Sequence, residues 1–301
     1  MIVRTSKQNE VHGWLVLDKP AGMTSTLAVA RLKCLFNAKK AGHAGTLDPI
    51  ATGVLPIAFG EATKTVPFVQ DGEKAYRFTV RWGIETNTDD CEGESVAQSD
   101  RRPEAAEIAA LLPRFTGTIE QRPPAFSAIK VNGERAYDLA RSGAAPDLSA
   151  RTVTIYAFDL VEAAHETAVF EARCGKGTYV RALARDLGRS LGCYGHVDVL
   201  RRTRVGPFSE ADLVTLQKLE TDPSRMDALR QVEAGLSELR RVVVDRGGAA
   251  RLRRGQPILL RGHDAPIDGP AYAACGGVVV AVGAVEKGEL IPGRIFNFSP
   301  K

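Results

Sequence analysis

Apolar and polar residues follow one another along the chain in patterns that predict strands and helices. The segment GWLVLDKPAG (13–22) is a nearly continuous apolar run ending in a Lys-Pro turn, which predicts a buried strand. The next segment, TSTLAVARLKCLF, begins with hydroxyl residues suited to capping a helix. Its predicted apolar face comprises Leu27, Ala28, Leu32, Leu35 and Phe36. The fold therefore opens with a strand followed by a helix.

Further strands and helices follow in the middle of the chain. KAYRFTVRWG (74–83) alternates at a period of two and predicts a strand that carries Tyr76, and TVTIYAFDLVEAA and TAVFEARCG predict two more. The acidic segment GIETNTDDCEGESVAQSD predicts a polar, mobile loop. PEAAEIAALLPRF predicts a helix with proline near its start. RPPAFSAIKVNGERAYDLARSG predicts a Pro-rich bend, an Asn-Gly turn at 132–133 and a helix.

The segment TYVRALARDLGRSLG predicts a helix with two different faces, capped by Thr178. Val180, Leu183, Leu187 and Leu191 form its apolar face, and Arg181, Arg185 and Arg189 form its basic face. Such a row of arginines is usually a solvated stripe. Arg181, however, lies in the first turn, where its charge opposes the helix dipole. We therefore expect an anionic group near Arg181.

Strands joined by glycine turns reappear at the end of the chain. After Gly247 and Gly248, the stretch AYAACGGVVVAVGAVEKGELIPGRIFNF predicts a small β module. We therefore predict a main domain at 1–246 and a β-rich domain at 247–301. Strands and helices mix without regular βαβ alternation, so the predicted fold class is α+β with a mixed sheet.

Composition narrows the class of protein. Hydrophobic residues make up 44% and charged residues 25% of the 301 positions, as in globular proteins, and no apolar run approaches a membrane span. The N-terminal segment MIVRTSKQNEVHGW lacks the apolar core of a signal peptide, which predicts a cytoplasmic protein. The five cysteines are scattered without a C-x-x-C pair. Disulfides and a metal site are therefore not expected.

Charge is distributed unevenly along the chain, although the net charge is only +4. Residues 85–107 hold eight acids and two arginines, whereas residues 239–262 hold seven arginines and one aspartate. The late arginines could form an ordinary solvated basic face. Alternatively, they form a surface that binds nucleic-acid phosphates.

The stretch GHAGTLDPIATGVLPIAFG (42–60) contains a single formal charge, Asp48. Asp followed by Pro is a common helix start, so Asp48 could simply cap a helix. Alternatively, a lone carboxylate among apolar neighbours is poorly hydrated and reactive, provided that an opposite charge keeps it ionised. Arg181 is the candidate for that charge.

Six separated motifs indicate whether Asp48 caps a helix or is a reactive carboxylate. They are GHAGTLDPIATGVLPIAFGEATK, LVLDKPAGMTS, KAYRFTVRWG, RPPAFSAIKVNGERAYDLARSG, GTYVRALARDLG and LRRTRVGPF. Together they closely resemble the TruB family of pseudouridine synthases, which isomerise uridine 55 in the T-loop of tRNA. The final 55 residues resemble, in position and β character, the PUA-like RNA-binding domain that often ends these enzymes.

The resemblance implies a role for each matching residue. Asp48 matches the catalytic aspartate, Tyr76 the tyrosine that packs on the target base, and Arg181 the arginine that pairs with the aspartate. The expected substrate-binding residues are His43, which enters the space left by the flipped nucleotide, Leu200, which lines the pocket, and Tyr179, Lys19 and Lys64 near the RNA. The implied partner is the T-arm of tRNA, with no membrane, no obligatory protein partner and a monomeric enzyme.

The implied reaction fits these residue types. It breaks the bond from ribose C1′ to uracil N1 and joins C1′ to C5, so no cofactor is needed. A carboxylate can stabilise positive charge at C1′, trap C1′ covalently, or take a proton from C2′. Two other interpretations remain open: a non-catalytic tRNA-binding or folding protein, and a dyskerin-like synthase that works with a guide RNA and partner proteins.

Overall fold

A computed structural model describes residues 8–127, 129–131, 134–135, 148–262 and 265–298 of the chain. The Asn-Gly turn expected at 132–133 and the helix expected after it lie outside the described residues. The α-helices within the described residues are α1 Ser25–Leu35, α2 Val66–Asp71, α3 Ala105–Leu111, α4 Val180–Ser190, α5 Leu216–Thr221 and α6 Arg246–Arg253, and short 3-10 helices lie at Gly60–Lys64, Leu112–Phe115, Glu210–Asp212, Arg225–Ala228 and Val232–Leu236. None of these described helices is long and apolar enough to cross a membrane.

Strands account for most of the remaining regular structure. In the first half of the chain they are β1 Gly13–Lys19, β2 Ala41–His43, β3 Thr52–Phe59, β4 Lys74–Trp82, β5 Ile84–Thr86, β6 Ser95–Gln98, β7 Gly117–Gln121, β8 Lys130–Val131 and β9 Glu134–Arg135. In the second half they are β10 Arg151–Ala163, β11 Thr167–Cys174, β12 Gly195–Val205, β13 Phe208–Ser209, β14 Val214–Thr215, β15 Arg240–Val243, β16 Ile258–Leu259, β17 Gly269–Cys275, β18 Val278–Glu286 and β19 Glu289–Ile295.

The main sheet is mixed, which confirms the predicted α+β class. Within the described residues its order is β14-β1-β3-β12-β4-β11-β10-β7, with β2 added at β3 and β13 at β12. The pairs β1/β14 and β3/β12 are parallel, and the other pairs are antiparallel. Because β3, β12 and β4 are neighbours, the ends of these three strands bring distant parts of the sequence together.

The main sheet buries apolar side chains on both faces. In β1, Leu15 and Leu17 belong to one apolar cluster, whereas Trp14 and Val16 belong to another on the opposite face. This explains why β1 reads as a continuous apolar run rather than as an alternation. Helix α1, capped by the Thr24 hydroxyl at 3.1 Å from the Leu27 nitrogen, packs on the first of these clusters.

Two helices depart from the predicted pattern. Ala28 and Leu32 of α1 are buried as expected, and so is Phe36, which caps the end of this helix, but Leu27 is 53% exposed. Helix α3 begins at Ala105 and is capped by Glu104, so the proline predicted near its start, Pro103, precedes the helix.

The C-terminal part is a second, five-stranded sheet in the order β15-β17-β18-β19-β16, packed on α6. The predicted strands after residue 268 are confirmed. The sheet also includes β15, which precedes residue 247 in the chain. One side of this C-terminal part shares an apolar cluster with the main sheet. In this cluster Tyr272, Val279 and Phe296 lie with Trp14 and Val16. The two parts therefore share a core.

Candidate active site

Asp48 lies in a loop between β2 and β3. The loop leads into Gly53 of β3, which has a φ of 96° and whose Cβ, if present, would collide with the carbonyl oxygen of Arg202. Ala51 N donates to the Asp48 carbonyl oxygen at 3.1 Å, and β3 follows directly. No described helix starts at Asp48, so the alternative that it caps a helix is wrong. Its side chain is 36% exposed and can be reached from solvent.

Arg181 projects from the first turn of α4 and lies against Asp48. Its Nε is 2.9 Å from Asp48 Oδ2, and its Nη1 is 3.4 Å from Asp90 Oδ2. Nη1 and Nη2 also donate to the carbonyl oxygens of Thr88 and Phe126, at 2.8 and 2.9 Å. The guanidinium is only 5% exposed. The expected anionic group near Arg181 is therefore confirmed, and it consists of two carboxylates.

The contact between Arg181 and Asp48 is an ion pair without an aligned hydrogen bond. The buried Nε of Arg181 has no hydrogen-bond acceptor among the described residues, although Asp48 Oδ2 is within 2.9 Å. The other two guanidinium nitrogens are fixed by backbone carbonyls. Arg181 is thus held by the protein independently of Asp48, and its positive charge faces the Asp48 carboxylate.

The other arginines of α4 are also paired. The prediction of a solvated stripe is wrong for Arg181 and Arg185, which are buried, whereas the side chain of Arg189 is 53% exposed. Arg185 Nη1 lies 2.8 Å from Asp89 Oδ2, and both residues are buried. Arg189 makes two hydrogen bonds to the buried Glu85, at 2.6 and 2.7 Å. The acids belong to the segment predicted to be a mobile loop. That segment forms the β5/β6 hairpin and a turn that pack against α4, because its buried carboxylates neutralise the arginines.

Burial strongly affects one carboxylate of this group. It raises the pKa of Asp89 from 3.8 to about 6, although the neighbouring Arg185 and Arg181 guanidinium groups act in the opposite direction.

Thr178, the expected cap of α4, does not cap this helix. Tyr179 occupies the cap position, and the Thr178 hydroxyl donates to the Gly175 carbonyl at 3.2 Å. Helix α4 is instead tied at its start by Gln121, whose side chain bonds the Tyr179 nitrogen and carbonyl oxygen at 2.8 and 3.1 Å.

Tyr76 lies in β4, directly opposite Arg202 of β12. Its ring is partly buried against the apolar cluster of the main sheet. Burial raises the pKa of Tyr76 to about 12, and the adjacent Arg202 guanidinium partly counters this. The hydroxyl is therefore protonated at neutral pH. The ring and hydroxyl offer a stacking surface and a proton-carrying group beside the Asp48 loop.

Arg202 was not singled out by the sequence. Its side chain is 2% exposed, and it donates to the carbonyl oxygens of Val54, Gly45 and Thr46 at 2.9, 3.0 and 3.2 Å. The residue lies in the quoted motif LRRTRVGPF, but nothing in that motif distinguishes it from Arg201, which pairs at the edge with Asp18 and Glu210. Arg202 connects β12 to the loop that carries Asp48.

The two lysines expected near the RNA are engaged within the protein. Lys19 is buried and donates to the carbonyl oxygens of Met23, Pro20 and Pro49, at 2.7, 2.9 and 3.1 Å. Burial lowers the pKa of Lys19 to about 8, although nearby Asp48 acts in the opposite direction. Lys19 therefore lies beneath the Asp48 loop and not on an open surface. Lys64 pairs with Glu61 at 2.7 Å and donates to Ile295 O at 2.8 Å, which ties the C-terminal sheet to the main domain.

The remaining predicted residues are His43, Leu200 and Tyr179. His43 ends β2 five residues before Asp48, and its buried Nδ1 has no hydrogen-bond partner among the described residues. Burial and Arg202 both lower the pKa of His43, which favours the neutral ring. Leu200 is buried on β12 opposite Phe78. Burial raises the pKa of Tyr179, and the neighbouring Asp48 charge acts in the same direction. The described residues contain no group of His, Cys, Asp and Glu suited to hold a metal ion.

Comparisons with known proteins were made for the whole chain. The model of the TruB family pseudouridylate synthase (N terminal domain) matches residues 33–180, and that of the tRNA pseudouridylate synthase B C-terminal domain matches residues 181–245. The chain is 59% identical over 302 residues to the tRNA pseudouridine synthase B of Rhodopseudomonas palustris, covering 97% of this chain and 82% of that protein. It is 54% identical over 304 residues to that of Rhizobium meliloti, covering 97% and 98%.

Solved structures share the fold. The crystal structure of a Cbf5-Nop10-Gar1 complex contains a chain that superimposes with a TM-score of 0.74 at 24% identity, covering 98% of this chain and 91% of that chain. The structure of an H/ACA RNP bound to a substrate RNA containing 2′-deoxyuridine gives a TM-score of 0.73 at 24% identity, covering 99% and 93%. The overall architecture, including the C-terminal sheet, is therefore common to these proteins.

Proposed function

The chain belongs to the TruB family of pseudouridylate synthases, and we propose that it converts uridine 55 in the T-loop of tRNA to pseudouridine. The printed name of the relatives, tRNA pseudouridine synthase B, supports tRNA as the substrate class. The observation that carries the proposal is the partly exposed Asp48 carboxylate held against the buried Arg181, with Tyr76 in the neighbouring strand. A protein that only binds or folds tRNA has no use for this combination.

In the proposed reaction, Asp48 acts on the ribose of a flipped-out uridine. The C1′–N1 bond breaks, the detached uracil turns, and a C1′–C5 bond forms. Asp48 stabilises or traps the positive charge at C1′, or removes a proton from C2′, and Arg181 pairs with its carboxylate. The C5 proton is finally removed, N1 gains a proton from solvent, and no atom is lost. The reaction therefore needs no cofactor and no metal.

Tyr76 and the residues around it hold the base during this turn. In this proposal the Tyr76 ring stacks on the flipped uracil, and its hydroxyl moves the proton at C5. Leu200 lies on the neighbouring strand β12. In this proposal His43, which ends β2 five residues before Asp48, fills the space left by the flipped nucleotide. Flipping costs a few kcal/mol, which RNA-binding enzymes offset with contacts to loop shape and phosphates.

The C-terminal part supplies the phosphate contacts in this proposal. Four exposed arginines concentrate positive charge in this part of the chain: Arg251 and Arg253 in α6, Arg254 at its end, and Arg261 after β16. We assign residues 247–301 to a PUA-like RNA-binding domain that binds the T-arm. The enzyme acts in the cytoplasm as a monomer, without an obligatory protein partner or guide RNA.

A guide-free conversion assay tests the proposal. The purified full chain is incubated with a T-arm stem-loop, and pseudouridine is located by carbodiimide modification and primer extension. A matched stem-loop with cytidine at position 55 is the control. Conversion at position 55 alone, with no change in RNA mass, supports the proposal. Binding without conversion would instead indicate a tRNA-binding protein, and conversion only with added guide RNA and proteins would indicate the dyskerin-like alternative.

A further inference from the structure

Arg202 joins the two arms of the loop that carries Asp48. Its guanidinium donates to Gly45 and Thr46 on the arm before Asp48, at 3.0 and 3.2 Å, and to Val54 on the arm after it, which is the start of β3, at 2.9 Å. Between His43 and Thr52 the loop has no helix or strand of its own. One side chain from β12 therefore fixes the distance between the two arms.

Arg202 achieves this as a buried cation without a carboxylate partner. Among the described residues no Asp or Glu forms an ion pair with it, and its charge is met by the three carbonyls and by the Tyr76 side chain across the strand pair. Burial lowers the pKa of Arg202, and Tyr76 and Asp48 act in the opposite direction. A buried charge without a full counter-ion is costly, and such groups are concentrated at functional sites.

We propose, on the basis of the function proposed above, that Arg202 is a positioning residue that aligns Asp48 with C1′ and orients the Tyr76 hydroxyl. It acts through these two residues and not by contact with the RNA, since its guanidinium is buried beneath the loop. Loss of its three hydrogen bonds lets the Asp48 loop relax. A displacement of about 1 Å at a reacting group can cost roughly 10²-fold in rate.

The conservative variant Arg202→Lys separates geometry from charge. A lysine keeps the positive charge, but its ammonium is a point charge that lacks the planar fork needed to hold carbonyls on both arms. Arg204→Lys is the matched control on the same strand, because Arg204 is about half exposed and pairs at the surface with Glu238. Both variants are compared with the wild type by single-turnover conversion of the T-arm stem-loop, by RNA affinity and by thermal unfolding.

We expect Arg202→Lys to slow the single-turnover rate by about 10²-fold while RNA affinity stays unchanged, and Arg204→Lys to behave as the wild type. A second variant, Arg202→Met, also removes the charge. Because Arg202→Met also lacks the three hydrogen bonds to the loop, it should slow the single-turnover rate at least as much as Arg202→Lys, again with RNA affinity unchanged.

The outcomes distinguish this inference from the proposed function. If the wild type does not convert the stem-loop, the proposed function fails and the inference fails with it. If the wild type is active and Arg202→Lys matches its rate, or loses RNA affinity in proportion to rate, only the positioning role is overturned. If both Arg202 variants fail to fold, Arg202 serves stability alone, and the positioning role is overturned in that case also.

Discussion

Replacement of Asp89 by asparagine should change how the stability of the protein depends on pH. Asp89 is buried and lies 2.8 Å from Arg185, yet burial outweighs this pairing and raises its pKa from 3.8 to about 6. A shift of about 2 pH units corresponds to about 3 kcal/mol, at about 1.4 kcal/mol for each unit. The amide oxygen in the Asp89→Asn variant can still accept the Arg185 hydrogen bond, but the amide does not titrate.

The direction in which stability changes with pH follows from how tightly the folded and unfolded states bind the Asp89 proton. Because the pKa is higher in the folded state, the folded protein binds this proton more tightly than the unfolded chain does between about pH 4 and 6. Asp89 therefore contributes stability below about pH 4, and this contribution is lost as pH rises through about 6. The difference in unfolding free energy, wild type minus Asp89→Asn, should fall by up to about 3 kcal/mol across this window.

Urea unfolding at several pH values measures this difference directly. The control is Asp198→Asn, which removes a partly exposed carboxylate paired with Arg81 at 3.0 Å, where only a small effect is expected. A wild-type minus Asp89→Asn difference that stayed constant with pH would show that Asp89 does not titrate in this window. A difference that rose with pH would show that the pair with Arg185 outweighs burial, which would refute the reasoning.

Three further predictions concern Tyr76, the C-terminal arginines and the removal of metal ions. Tyr76→Phe should keep RNA affinity and lower the single-turnover rate by about 10² to 10⁴-fold, because only the hydroxyl is lost. Tyr76→Leu should also bind RNA more weakly, because it loses part of the roughly 1 to 3 kcal/mol that stacking contributes. If Tyr76→Phe were as fast as the wild type, Tyr76 would be a packing residue only. Replacing Arg253, Arg254 and Arg261 by serine should weaken tRNA binding. The slope of log affinity against log salt concentration, measured by titration at several salt concentrations, should become shallower by up to about 3. An unchanged slope would contradict a role of these arginines in phosphate binding. Treatment with EDTA should leave conversion unchanged once tRNA folding is controlled for, and inhibition reversed by one divalent metal would contradict the proposed chemistry.

The strands could be predicted from the sequence because their signals are local, and the family because six separated motifs match it. The apolar run of β1 and the alternation of β4, β10 and β11 follow from side-chain burial within each strand. The dipole argument at Arg181 also led from one residue to an anionic neighbour, which the contacts with Asp48 and Asp90 confirm.

The pairing of the acidic segment with α4 could not be predicted because its partners are far apart in sequence. Glu85 and Arg189 are separated by 104 positions and Asp89 and Arg185 by 96, and each group alone has the composition of a solvated surface. Burial of Lys19 and Arg202 was missed for a similar reason. Their side chains donate hydrogen bonds to backbone carbonyls, and every residue has a carbonyl, so the sequence does not show which ones will be the acceptors.

The central claim, that the Asp48 carboxylate carries out the isomerisation of uridine 55, is tested most directly with Asp48→Asn. The two side chains are nearly the same size, so the fold and RNA binding should be retained while the charge facing Arg181 is lost. Single-turnover conversion of the T-arm stem-loop is measured beside RNA affinity and the thermal unfolding midpoint. We expect no detectable pseudouridine, with affinity and unfolding close to those of the wild type. Measurable conversion by folded Asp48→Asn would contradict the account.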